Sequence, residues 1–144
     1  MLNIRNMLVG VSVFVAGVLV GNLDINSARA QESYPTEHKG ISVSKLGVIS
    51  KDSMAKQTGL EGYVLQLRMA TIEPGGQIAR HKHDTRPGLV YTLEGSLVEG
   101  RPSGERKFSA GEESAMLEDF ETDHWIYNRT DKPVKFLICG LDNR

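Results

Sequence analysis

Residues 74–95 read PGGQIARHKHDTRPGLVYTLEG, and this stretch decides the fold. It opens with a Pro-Gly-Gly turn, carries two histidines, and passes through a second Pro-Gly pair into the apolar run Leu89–Leu93. On a strand, side chains two residues apart project from the same face, so His81 and His83 are predicted to point the same way. Two imidazole nitrogens from one strand can bind one metal ion at about 2.0–2.1 Å. The stretch therefore predicts a strand that bears a candidate metal site.

Strand-like alternation of apolar and polar residues recurs on both sides of this stretch. Such runs lie at residues 41–45, 64–69, 89–93, 96–99, 107–110, 115–117, 124–128 and 134–139. Strands of about 4–8 residues at turn spacings of about 8–12 residues indicate an all-β sandwich or barrel. Only Lys51–Thr58 is predicted to form a short helical turn, which Gly59 and Gly62 end. The fold class is therefore all-β, in one domain.

Composition excludes several classes of protein. The chain has 17 Lys and Arg against 18 Asp and Glu, a net charge of -1, so no basic surface for nucleic acid is expected. One cysteine in 144 residues excludes an internal disulfide framework and a cysteine-based zinc finger. Cys139 lies in an apolar run, which predicts a buried, unreactive thiol.

The first 30 residues are typical of a secretory signal peptide. Arg5 precedes the apolar run Met7–Gly21, and Ala28-Arg29-Ala30 forms a small-x-small cleavage site. The run is shorter than the ~20 residues that cross a membrane as a helix, so contact with the membrane is expected only during export. The predicted organisation is a signal peptide at 1–30, a loose N-terminal arm at 31–40 and a β domain at 41–144. The mature protein is expected to be periplasmic or secreted.

A third histidine, His124, begins another alternating segment that ends at Asn128. The alternation places His124, Ile126 and Asn128 on one face and turns Trp125 and Tyr127 to the other. The remaining histidine of the mature chain, His38, lies in the polar arm, where a solvated side chain is expected.

At these residues the sequence resembles the cupin superfamily. The first cupin motif runs Gly, five residues, His-x-His, three or four residues, Glu, six residues, Gly, and the second ends in His, three residues, Asn. The matching positions here are Gly75, His81, His83, Gly95, His124 and Asn128. The resemblance covers about residues 60–140. It implies an antiparallel β-barrel of the jelly-roll type, a metal held by His81, His83 and His124, and a homodimer.

One departure from the motif concerns the fourth ligand. Gly88 stands at the position of the motif's glutamate, so the set is expected to lose its carboxylate. Glu94, Glu121 and Asp123 are the carboxylates close to the motifs in sequence, and the last two could reach the metal or an imidazole N–H from the loop before His124.

Three functions remain open for such a site. The first is a metal-dependent oxygenase or isomerase that acts on a small molecule with iron, manganese, zinc, copper or nickel. The second is a cupin that binds a small ligand or a metal without turnover. The third is a structural barrel whose histidines form hydrogen bonds within the core. Arg86, beside the histidine pair, is either a residue that binds a carboxylate-bearing substrate or a solvated charge.

Overall fold

Eight strands and one short helix make up the part of the chain that the computed structural model describes, residues 34–111 and 115–143. The elements are β1 Lys39–Ile49, α1 Lys51–Thr58, β2 Val64–Lys82, β3 Gly88–Glu94, β4 Ser96–Arg101, β5 Gly104–Ser109, β6 Met116–Glu118, β7 Asp123–Tyr127 and β8 Val134–Asp142. The predicted all-β fold is confirmed. The predicted signal peptide lies outside the described residues.

The strands form one antiparallel sheet that curves into a nearly closed barrel, in the order β5-β4-β7-β2-β8-β3-β6. The long strand β2 joins the two halves of the barrel: residues 64–72 pair with β8, and residues 77–82 pair with β7. β1 pairs with the opposite edge of β2.

The two glycines in the middle of β2 shape the corner between these halves. Gly75 has a φ of 68°, and a Cβ at Gly76 would lie 2.6 Å from Ile72 and 2.9 Å from the carbonyl oxygen of Lys39. Gly75 is needed because its φ is positive, and Gly76 is needed because neighbouring atoms leave no room for a Cβ. The sequence predicts a turn here. The strand instead continues through the corner and carries both histidines towards β7.

The core lies inside the barrel and follows the predicted alternation. In β3, Val90 and Thr92 are buried, whereas Leu89 and Tyr91 face outwards and are exposed. The buried apolar cluster consists of Ala70, Ile72, Val90, Leu97, Phe108, Met116, Ile126, Val134 and Phe136. These side chains come from both halves of the barrel, and their burial stabilises the frame around the histidines.

The helix forms where the sequence predicts it. The Ser50 side chain accepts a hydrogen bond from the backbone N–H of Ser53, and Gly59 ends the helix in the left-handed conformation. No helix within the described residues is long and apolar enough to cross a membrane.

The described part of the N-terminal arm packs along β2. Tyr34 contacts Trp125, and the carbonyl oxygen of Pro35 accepts a hydrogen bond from the Arg80 N–H. His38 Nδ1 accepts a hydrogen bond from the Ala79 N–H at 3.2 Å. Polar groups in the described part of the predicted arm thus find partners along β2.

Candidate metal centre

Three histidines converge at the junction of β2 and β7. His81 pairs with His124 across the two strands, and His83 follows directly after the end of β2. The Nε2 atom of His124 lies 3.2 Å from Nε2 of His81 and 3.1 Å from Nε2 of His83. The structure thus brings together the three histidines that the spacing singles out, and His124 is fully buried.

The other ring nitrogens fix the tautomer of each histidine. Nδ1 of His81 lies 2.8 Å from the carbonyl oxygen of Ala79, and Nδ1 of His83 lies 3.0 Å from that of Arg86. Nδ1 of His124 lies 2.8 Å from Oε1 of Glu99. Carbonyl and ionised carboxylate oxygens only accept hydrogen bonds, so each Nδ1 carries a proton, and in a neutral imidazole Nε2 then presents a lone pair.

Burial keeps the imidazoles of His81 and His83 neutral. It lowers the pKa of His81 to about 4, and it also lowers the pKa of His83 below its ordinary value. The Nε2 lone pairs of His81 and His83 therefore both face Nε2 of His124. Two nitrogens at about 2.0–2.1 Å from one ion lie about 3 Å apart when they subtend a right angle, close to the separations found here. The donor set fits a metal ion.

Glu118 supplies the carboxylate that the sequence predicts to be missing. Its Oε1 lies 3.8 Å from His124 Nε2 and its Oε2 lies 3.5 Å from His83 Nδ1. One ligand atom from each of the four side chains lies within 4.8 Å of the others. The expectation of a set without a carboxylate is therefore wrong, because β6 provides one from the neighbouring strand.

Gly88 and Glu118 form a matched pair. They are direct partners in the register of β3 and β6, and a Cβ at position 88 would lie 2.7 Å from Oε2 of Glu118. Gly88, at the position of the motif's glutamate, thus leaves room for the carboxylate of Glu118 from the neighbouring strand. The signal in the sequence is the alternation in β6, which places Glu118 on the same face as buried Met116, but the pairing with Gly88 is a tertiary fact.

The carboxylates considered from the sequence have other roles. Glu94 forms an exposed ion pair with Lys135, and Glu121 is exposed. Asp123 accepts two hydrogen bonds from Arg80 at 2.7 and 2.8 Å, an ion pair that lowers the pKa of its carboxyl group. None of the three belongs to the cluster of potential ligands.

Arg86 lies in the loop between His83 and β3. Its guanidinium contacts the carbonyl oxygen of Lys82 at 3.4 Å, and its own carbonyl oxygen holds the His83 ring. Burial is the main cause of the lowered pKa values of His81 and His83, and the positive charge of Arg86 adds a small contribution in the same direction. Arg86 is thus close enough to act electrostatically on the centre.

Glu99 of β4 is a residue that the sequence reading missed. It is fully buried, and its Oε1 accepts hydrogen bonds from His124 Nδ1 and from Arg101 Nε at 2.7 Å. Burial alone would raise the pKa of Glu99, but the hydrogen bonds from His124 and Arg101 bring it below its ordinary value. The alternation of β4 could have indicated an inward side chain, but its partner comes from β7.

Two cavities border the cluster. One, of about 420 Å³, is lined mainly by apolar side chains such as Leu89 and Leu117 and reaches Glu118. The other, of about 470 Å³, is lined by the arm and by charged residues, and it reaches His81. The cavity that reaches His81 offers a small molecule direct access to a histidine of the cluster.

Comparisons with known proteins agree with this architecture. The family model for the cupin domain matches residues 68–140. A sugar phosphate isomerase of the cupin superfamily from Silicibacter pomeroyi is 28% identical, with a TM-score of 0.54 over 72% of this chain and 60% of that one. The chain thus spans less than two thirds of that structure's length.

Two further solved structures share the fold at lower identity. A predicted oxalate decarboxylase from Thermotoga maritima is 21% identical over 69% of this chain and 78% of that one, with a TM-score of 0.54. The polyketide cyclase RemF from Streptomyces resistomycificus is 20% identical over 75% of this chain and 68% of that one, with a TM-score of 0.56. A comparison with curated protein sequences finds no match.

Proposed function

This chain belongs to the cupin family, and we propose that it binds one divalent transition-metal ion through His81, His83, His124 and Glu118 and acts there on a small organic molecule. The observation that carries the proposal is the convergence of three Nε2 atoms, with those of His83 and His81 lying 3.1 and 3.2 Å from that of His124. Lone pairs held this close repel one another unless a cation lies between them. A bound metal would supply Lewis acidity or, with iron, manganese, copper or nickel, redox chemistry.

The charges of the ligands favour an anionic substrate. Three neutral imidazoles and the single carboxylate of Glu118 leave one positive charge of a divalent ion uncompensated. Arg86 adds a second positive charge close to the histidines. We therefore assign Arg86 to the binding of a carboxylate or phosphate group on the substrate.

Isomerisation is the reaction class with the better support. The 28% identical structure is described as a sugar phosphate isomerase, whose substrates are small anions of the kind that these charges suit. Oxygenation is the second candidate, because a centre of three imidazoles and one carboxylate also suits iron and manganese. Dependence of turnover on O₂ separates the two classes.

Metal titration of two histidine variants tests the site. His83→Ala removes one ligand, whereas the matched control His38→Ala removes a histidine that contacts the Ala79 N–H outside the cluster. We expect wild type and the control to bind one equivalent of metal and His83→Ala to lose binding. Equal binding by all three proteins would contradict the assignment.

Turnover assays then distinguish an enzyme from a binding protein. Metal-loaded wild type would be incubated with small hydroxy acids, keto acids and sugar phosphates, with and without O₂, beside His83→Ala. Interconversion of isomers without O₂ consumption is the expected result. Metal binding without turnover of any of these substrates would favour the ligand-binding function, and a stable protein without metal affinity would favour the structural barrel.

Export to the periplasm is part of the proposal. Its support is the arrangement of Arg5, the apolar run Met7–Gly21 and the site Ala28-Arg29-Ala30. The mature protein would then begin at Gln31 and take up its metal outside the inner membrane.

A homodimer is proposed through the outer face of the sheet. Cross-strand register places apolar side chains in three rows on this face across β1, β2, β8, β3 and β6. The rows are Ile49, Leu65 and Leu141; Leu67, Cys139, Leu89 and Leu117; and Met69, Leu137 and Tyr91. Several members are strongly exposed, among them Leu117 at 59% and Leu89 at 51%. Exposed apolar patches of this kind commonly mark interaction sites.

The size of this face suits a second copy of the chain. The ten side chains of these rows, about 4.8 Å apart between strands and about 6.8 Å apart along a strand, cover about 330 Å². That is about three quarters of the apolar share of the ~800 Å² that each partner contributes to a standard interface. Sedimentation of Tyr91→Asp, with the exposed Leu60→Asp as control, tests the pairing. We expect only Tyr91→Asp to be a monomer, and a monomeric wild type would contradict it.

A further inference from the structure

The buried carboxylate of Glu99 distinguishes His124 from the other two histidines. His81 and His83 donate their Nδ1–H to neutral backbone carbonyls, whereas His124 donates to a carboxylate. A hydrogen bond to an ionised acceptor is about twice as strong as one between neutral groups. It also makes the opposite ring nitrogen a better electron donor to a metal. His124 is therefore the strongest imidazole ligand of the three.

Burial of the Glu99 carboxylate costs free energy, and packing does not require a charged residue at this position. Glu99 is 0% exposed, and its Oε2 has no hydrogen-bond partner among the described residues. A buried charge with one unpaired oxygen is costly, and an apolar residue of similar volume commonly gives equal or greater stability. A residue of this kind calls for a role other than stability.

Arg101 connects Glu99 to β6, the strand that carries the ligand Glu118. Its Nε donates to Glu99 Oε1 at 2.7 Å, and its Nη2 donates to the carbonyl oxygen of Leu117 at 3.1 Å. Leu117 directly precedes Glu118 in β6. One guanidinium thus holds both the carboxylate behind His124 and the backbone beside the Glu118 ligand.

We propose that Glu99 and Arg101 are positioning residues that fix His124 and Glu118 at the metal, and that Glu99 strengthens His124 as a donor. This inference rests on the proposed metal site. It assigns a role to two residues that lie outside the set of four ligands, and it predicts an asymmetric centre with one carboxylate-backed imidazole.

Cobalt(II) binding to conservative variants tests the inference. Glu99→Gln keeps the size of the side chain and an acceptor for His124 but removes the charge. We expect it to weaken cobalt affinity by about 10-fold to 100-fold and to shift the visible d–d absorption of the complex. Arg101→Gln, which leaves the contact between His124 and Glu99, should weaken affinity several-fold. The control is Glu105→Gln, which breaks only an exposed ion pair with Arg129.

Thermal unfolding without metal separates positioning from a structural role. Glu99→Gln should still unfold cooperatively but at a somewhat lower midpoint, because His124 and Arg101 lose a charged acceptor, so cobalt affinity is compared at a temperature at which both metal-free proteins are folded. Cobalt affinity and absorption equal to wild type in both Glu99→Gln and Arg101→Gln would overturn the inference. Failure of the underlying metal site looks different: wild type itself would not bind cobalt, or His83→Ala would bind it equally well.

Discussion

Replacing Gly88 with alanine should displace the Glu118 carboxylate from the metal centre. The added Cβ would lie 2.7 Å from Oε2 of Glu118, whereas ordinary contacts begin at 3.4 Å, so this oxygen must withdraw by about 0.7 Å. Gly88 does not have a positive φ, so alanine fits its backbone conformation, and the pairing of β3 with β6 and β8 is preserved. The substitution should therefore act on the ligand and leave the fold intact.

The expected loss of metal affinity is about 10-fold to 100-fold, or about 1.4–2.7 kcal/mol, which is the usual cost of disturbing a group that orients a metal ligand. Glu118→Gln, which removes the charge, should lose at least as much. Isothermal titration with cobalt(II) or zinc would measure both variants, and circular dichroism would check the fold. Gly47→Ala is the matched control, because a Cβ there has no atom within 4 Å.

The double variant Gly88→Glu, Glu118→Gly moves the carboxylate back to the position of the cupin motif. If position 88 and position 118 are alternative origins for one ligand, this variant should bind more tightly than Glu118→Gln. Wild-type affinity in Gly88→Ala and in Glu118→Gln would refute the assignment of Glu118 to the centre.

Three further predictions concern stability and processing. The metal-free protein should lose stability as pH falls from 6.5 to about 4, because in this range the unfolded chain protonates His81 and the folded protein does not. Denaturant titrations at several pH values should show that the free energy of unfolding depends less on pH in His81→Gln than in wild type. An equal pH dependence in the two proteins would contradict the low pKa of His81. Gly100→Ala should destabilise the fold by about 1–3 kcal/mol, because the added Cβ meets the indole ring of Trp125. Thermal unfolding measures the loss, with Gly47→Ala as the control, and equal midpoints for the two variants would contradict the prediction. Protein exported from bacterial cells should begin at Gln31, and N-terminal sequencing that yields Met1 would contradict cleavage after Ala30.

The fold and three of the four candidate ligands could be predicted from the sequence because local periodicity encodes them. Alternation in Leu89–Leu93 separates an inner from an outer face, and the structure buries Val90 and Thr92 while it exposes Leu89 and Tyr91. The same rule places His81 and His83 on one face. Ser50 and Gly59 mark the ends of the helix by equally local signals.

Glu118 and Glu99 could not be predicted in this way, because their roles depend on which strands are neighbours. Glu118 matters only because β6 pairs with β3 opposite Gly88, and Glu99 matters only because β4 lies beside β7. A motif read along one chain shows a glutamate replaced by glycine. Glu118 on the neighbouring strand supplies the carboxylate instead, and no spacing rule of the motif includes a residue so far along the sequence.

The metal content of the protein purified without added metal or chelator tests the central claim most directly. Wild type is compared with the variant in which His81, His83 and His124 are all replaced by alanine. We expect about one equivalent of a transition metal in wild type and none in the variant. No metal in either protein, with no gain in thermal stability when iron, manganese, zinc, copper or nickel is added, would contradict it.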